Sequence, residues 1–120
     1  MMKTKESEEL NRDLMEYENL EKQLEVLLIQ KHQLQLQLNE IKHALEELKR
    51  SSGEVYRAVG AVMLHTTKEA AESDLKERDE LLGVKLNALA KQEEKLRNTV
   101  MDSQKKLQEK MKEYGKSGGA

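Results

Sequence analysis

The side chains of this 120-residue chain that could move a proton near neutral pH, or bind a metal through nitrogen or sulfur, are three histidines, His32, His43 and His65; there is no cysteine, and the many Glu and Lys read as a solvated face. His32 and His43 share roughly one face of a helix, but at ~1.5 Å rise per residue they lie ~16 Å apart along its axis, too far to hold one ion. His65 stands in an apolar stretch and reads as a polar residue at a strand edge. No Gly-rich phosphate loop, no Ser/His/Asp set on a scaffold and no paired carboxylates in a pocket-forming context occur. The expectation is therefore no enzyme, no metal and no cofactor. What remains is the chemistry of apolar surfaces. Met15 lies toward one end of the chain, Met101 and Met111 toward the other. Their flexible, polarisable thioethers suit contact with many unlike apolar segments, or else fill gaps between helices.

Composition narrows the partners. Hydrophobic and charged residues are each 37% and aromatics only 2%, with no Phe, Trp or Pro, which is too little bulk for an ordinary globular core and typical of long helices and coiled coils. A net charge of −2 leaves no surplus with which to neutralise phosphates, so nucleic acid is not expected. The charged start of the chain does not read as a signal peptide, and no run approaches the ~18 apolar residues of a membrane span. A soluble protein of the reducing cytoplasm fits these features.

The elements that must position these groups follow from spacing. From about Ser7, with Thr4 or Ser7 as N-cap, a seam runs Leu10, Asp13, Tyr17, Leu20, Leu24, Leu27, Lys31, Leu34, Leu38, Ile41, Leu45, Leu48, in alternating steps of four and three past its opening. Lys31 reads as a register device whose stem packs while its ammonium reaches water. Ser51, Ser52 and Gly53 stop this helix. A second seam reads Leu75, Asp79, Leu82, Leu86, Leu89, Glu93, Leu96, Val100, Ser103, Leu107, Lys110, Tyr114. Its polar members make it a better partner for the first helix than for a parallel copy of itself. Thr66 and Glu69 form an expected capping box, Gly115 an expected stop, and Gly83 a close backbone approach or a soft point. Helix one over 7–50 and helix two over 67–114 would be ~66 and ~72 Å long. Matched lengths predict an antiparallel two-helix coiled coil with both termini at one end, and a flexible tail over 115–120.

Between them, residues 53–66 are rich in β-branched and aromatic types around Gly60 and predict a β-hairpin. Apolar groups fall on both faces, Val55 and Val59 on one, Tyr56 and Ala58 on the other. A lone hairpin is marginal in water and leaves its edges unpaired. With the remaining apolar residues committed to the seams, other chains must complete a sheet or barrel.

Val55-Tyr-Arg-Ala-Val-Gly60, then Val62-Met-Leu-His-Thr-Thr-Lys-Glu69, Leu86-Asn-Ala-Leu89 and Gln92-Glu-Glu-Lys-Leu96, carry a resemblance that spans the chain. They resemble the prefoldin beta subunits, and the absence of extensions is closest to the archaeal type. The resemblance implies a mainly α, single prefoldin-like domain in a hexamer of two alpha and four beta subunits, whose hairpins build a β-barrel platform. It implies capture of unfolded polypeptides at the distal coiled-coil ends without ATP, and delivery to a group II chaperonin. Carried to this chain, the client-binding residues are Leu10, Leu14, Met15, Tyr17, Val100, Leu107, Met111 and Tyr114, and the assembly contacts Val55, Tyr56, Val59, Val62 and Leu64. Gly83 departs from the strong helix former expected there. The competing reading is a structural coiled-coil adaptor that binds one folded partner; such a rod has no use for a doubly apolar hairpin.

Overall fold

A computed structural model describes residues 4–118, in the order α1 (Thr4–Arg50), β1 (Val55–Val59), β2 (Val62–Thr66) and α2 (Lys68–Gly118). The chain forms two compact units. A terminal unit joins α1 up to Ile29 with α2 from Ala90 onward, and a hairpin unit comprises Gln30–Leu89.

Within each unit the seams face inward. In the terminal unit Leu10, Asp13, Tyr17, Leu20, Leu24 and Leu27 of α1, and Glu93, Leu96, Val100, Ser103, Leu107, Lys110 and Tyr114 of α2, are all buried or half-buried. The same holds in the hairpin unit for Lys31 through Leu48 and for Leu75, Asp79, Leu82, Leu86 and Leu89 of the two seams. The helices of each unit are antiparallel. In the hairpin unit Leu34 shares a groove with Leu89, Ile41 with Leu82 and Leu48 with Leu75, one heptad down α1 for each heptad up α2. In the terminal unit Lys106 and Lys110 of α2 reach Asp13 of α1, and Lys110 also reaches Glu9. With two helices and no third layer, no described side chain is fully enclosed, and the driest, Leu107, keeps 7% of its surface, with Leu27, Ile41 and Leu48 at 8%.

The hairpin pairs Val55 with Thr66 through Val59 with Val62 and turns over Gly60-Ala61. Gly60 has φ 61° while no other described residue has positive φ, the pattern of a type II′ turn with Gly first, whose twist matches the strands. This register places Val55, Arg57, Val59, Val62, Leu64 and Thr66 on one face and Tyr56, Ala58, Met63 and His65 on the other.

The helix ends depart from the sequence expectations. Thr66 is the last residue of β2, so the cap of α2 falls to Thr67, whose Oγ1 accepts from Ala70 N at 3.1 Å. Ala70 cannot return the bond, so there is no capping box. At the other junction Lys68 reaches back and donates to the carbonyls of Lys49 and Ser51 at 3.2 and 3.3 Å, satisfying acceptors that the end of α1 leaves open. Ser7 lies inside α1, which runs from Thr4. The helix also continues through Gly115 to Gly118, three residues past the expected stop, and the rest of the expected tail, residues 119–120, lies outside the described residues. At Gly83 α2 is continuous and nothing lies within 4 Å of where a Cβ would stand, which removes the close-approach explanation.

Candidate functional site

In the terminal unit the usual arrangement of polar and apolar groups is partly inverted. Asp13 occupies a seam position and is 9% exposed. Lys110, also on the seam, donates to its Oδ2, while Lys106 stands 3.6 Å from Oδ1 and Glu9 lies 3.2 Å from the Lys110 ammonium. The Lys110 hydrogen bond, with the charges of Lys106 and Lys110, holds the Asp13 carboxyl below its ordinary range against the opposing effect of burial. The same bond raises Lys110. This network links the early turns of α1 to the late turns of α2.

Apolar side chains meanwhile stand outside. Met15 is 68% exposed, Met111 61%, Met101 53% and Leu14 44%. Of the residues that the sequence nominates for client binding, Leu14, Met15 and Met111 are therefore open to solvent. Leu10, Tyr17, Val100 and Tyr114 are half-buried at the seam margin. Leu107 is core, committed to packing between the helices, so it offers no surface to a client while they stay paired. Met101 was not in the nominated set, although it directly follows the seam residue Val100, which turns it outward. Val26 and Ile29 are further exposed apolar residues of this unit that spacing alone did not single out. The Tyr17 hydroxyl bonds the Glu21 carboxylate, which raises its pKa, and partial burial does the same for Tyr114.

The hairpin offers a second apolar surface. Tyr56, Val59, Val62, Met63 and Leu64 are all about half exposed or more, and only Val55 of the nominated assembly residues is half-buried, beside the helices. With two strands in the sheet, both outer edges carry unpaired backbone groups. The Tyr56 ring meets His65 edge-on at 5.5 Å and 76°, a cross-strand pair, and its hydroxyl donates to Glu54. Arg57 pairs with Asp74 of α2 at 3.2 Å, an exposed contact between the hairpin and the helix that follows it. Beneath it lies an open cleft of about 540 Å³ with an apolar floor of Ala44, Leu48, Val55, Ala71 and Leu75.

Among the described residues no group of three or more His, Asp or Glu could hold a metal ion, and no helix is long and apolar enough to cross a membrane.

The model of the prefoldin subunit family matches residues 11–114. The prefoldin subunit beta of Pyrococcus abyssi is 40% identical over 97 residues, covering 79% of this chain and 83% of that protein. That of Sulfurisphaera tokodaii is 36% identical over 115 residues, 93% of this chain and 92% of its own length. Among solved structures, the prefoldin beta subunit from Thermococcus strain KS-1 superimposes with a TM-score of 0.77 at 36% identity, covering 84% of this chain and 90% of that one. The beta2 subunit of the same strain shares the fold, with a TM-score of 0.69 at 18% identity. Two seamed helices, one hairpin and relatives matched over most of their length agree: the chain belongs to the prefoldin subunit family, with the single hairpin of its beta subunits.

Proposed function

We propose that this chain is a client-holding subunit of an ATP-independent chaperone of the cytoplasm. Its hairpin joins those of alpha and further beta subunits, two alpha and four beta in all, and its terminal unit captures unfolded polypeptides for delivery to a group II chaperonin. The observation that carries the reading is the inversion in the terminal unit, where charge fills the seam at Asp13 and Lys110 while Leu14, Met15, Met101 and Met111 face solvent.

The geometry suits holding. Leu14, Met15, Met101 and Met111 lie off the seams, so pairing of α1 with α2 leaves them exposed. Leu14 and the three methionines are exposed, and an open surface imposes no shape on the ligand. Methionine adapts its three side-chain torsions to whatever apolar group arrives, and its sulfur makes favourable contacts with aromatic rings. Each contact is weak, but an assembly presents several such units, and tethering them raises overall affinity without new chemistry. A client held by many weak contacts leaves readily once a stronger binder competes. The hairpin supplies the tethering: both its faces are apolar and both its edges unpaired, a surface that strands from neighbouring subunits would cover.

The test mixes the chain with an alpha-type partner and follows aggregation of a chemically unfolded protein without nucleotide. Protection is expected. Removing residues 1–17 and 100–120 should abolish it while the assembly keeps its subunit number by mass measurement; retained protection refutes the assignment to the terminal unit. Binding to one folded protein and to no unfolded chain would favour the adaptor reading instead.

A further inference from the structure

Sulfur is distributed in this molecule in an unusual way. The chain has six methionines and no cysteine. Four of the methionines, Met15, Met63, Met101 and Met111, lie among the residues whose side chains are described, and every one is more than half exposed. Neither seam contains a methionine: the interior of both units is built from Leu, Ile, Val and Tyr with a few polar residues. Methionine is ordinarily a core filler, and among the described residues here it is confined to the surface. Three of the four stand in the terminal unit, which also exposes Leu14.

We propose that Met15, Met101 and Met111 are an oxidation site through which peroxide reversibly weakens client capture while leaving the fold intact; this rests on the client-holding reading above. The sulfur lone pair attacks the distal oxygen of a hydroperoxide, the S–O bond forms as the O–O bond breaks, and the departing oxygen takes a proton and leaves as water or an alcohol. The thioether is oxidised by two electrons and the peroxide reduced by two. The reverse step needs two thiols of a sulfoxide reductase, which close to a disulfide while the oxygen leaves as water. Accessibility meets the first requirement of this chemistry, since peroxide reaches all three sulfurs without any opening of the helices. The consequence follows from polarity: a sulfoxide is a strong hydrogen-bond acceptor, so burying it against an apolar client segment costs what the thioether did not. The fold is insulated, because the seams hold nothing that peroxide attacks readily. Met63 supplies an internal reference. It is exposed in the single chain but lies on a hairpin face that assembly would cover, so its oxidation reports on assembly and not on capture.

The experiment treats the full chain, assembled with its alpha-type partner, with hydrogen peroxide, locates the added oxygens by peptide mass mapping, and measures affinity for an unfolded client, helical circular dichroism and assembly mass. Oxygen is expected on Met15, Met101 and Met111, with Met63 protected and with helicity and mass unchanged. Client affinity should fall by roughly tenfold, the size of losing a sulfur–aromatic contact or two. A sulfoxide reductase should restore it. The variant M15L/M101L/M111L is compared with itself before and after peroxide, and its ratio is expected to stay near one. Undiminished affinity of the oxidised protein overturns the inference alone. So does equal loss in the leucine variant, or loss that accompanies unfolding. An untreated protein that binds no unfolded client refutes the client-holding reading and this inference with it.

Discussion

Replacing Gly83 by Ala should stabilise the chain. Gly83 lies within α2, is half-buried, and has nothing beyond its chain neighbours and its own helix's backbone within 4 Å of the position a Cβ would take. The added methyl therefore meets neither a neighbouring backbone nor a side chain that must shift. Its benefit has two sources, the freedom that Ala removes from the unfolded chain and the helix preference of Ala over Gly, together about 1 kcal/mol. For a chain of this length the urea dependence is on the order of 1–2 kcal/mol per molar, so the unfolding midpoint should rise by roughly 0.5–1 M with an unchanged slope. The assay is urea unfolding followed by circular dichroism at matched protein concentrations, because assembly shifts apparent stability by mass action. A lowered midpoint would refute the reasoning, for it would mean that something packs against the Gly83 Cα in solution. A gain in stability with loss of chaperone activity would show that the site is a soft point that function uses.

Three further predictions follow from single features. The depressed Asp13 carboxyl contributes stability that is full above its ordinary value of 3.8 and is lost as pH falls through its lower folded value; Asp13→Asn should therefore flatten the acid side of a melting-temperature profile below about pH 4. Lys110, whose pKa is raised, acts in the opposite sense, its contribution being full below its ordinary 10.5 and lost as pH climbs beyond that. Thr67→Ala removes the acceptor at the start of α2 and should cost about 1 kcal/mol in urea unfolding, whereas Thr66→Ala should cost less, because Thr66 does not cap. Asp79 sits half-buried in the hairpin-unit seam with Oδ1 lacking any hydrogen-bond partner among the described residues; Asp79→Leu should raise stability by about 1–3 kcal/mol, and a fall would expose a partner for that oxygen in solution.

The sequence was most legible where a pattern repeats. Every seam residue that heptad spacing picks out is turned inward, the polar ones included, because seven-residue periodicity is a property of one helix and needs no partner to be read; Leu28, Ala44, Ala71 and Ala90, off the seams, are half-buried as well. Gly60 between β-branched runs was equally plain. What spacing could not supply was pairing across distance. Asp13 and Lys110 were both visible as polar breaks in their seams, but their union depends on the register of two helices whose contact spans 97 positions. The α2 cap moved from Thr66 to Thr67 because strand length, which no local signal fixes, decides where the helix begins. Leu107 shows a conflict already present in the sequence: its seam position marks it as core, while its place near the chain end nominated it for client contact, and periodicity is the better guide. Met101 illustrates the converse, one position off the seam and hence outside.

The central claim is that the outward apolar side chains of the terminal unit hold unfolded protein. The most direct measurement substitutes Leu14, Met15, Met101 and Met111 by Gln in the full chain, all exposed positions where helix is tolerated. The variant is assembled with an alpha-type partner, and suppression of aggregation of a chemically unfolded protein is followed without nucleotide. The account predicts an assembly of unchanged mass and helicity whose protection is lost or weakened at least roughly tenfold. Undiminished protection by that intact assembly would contradict it.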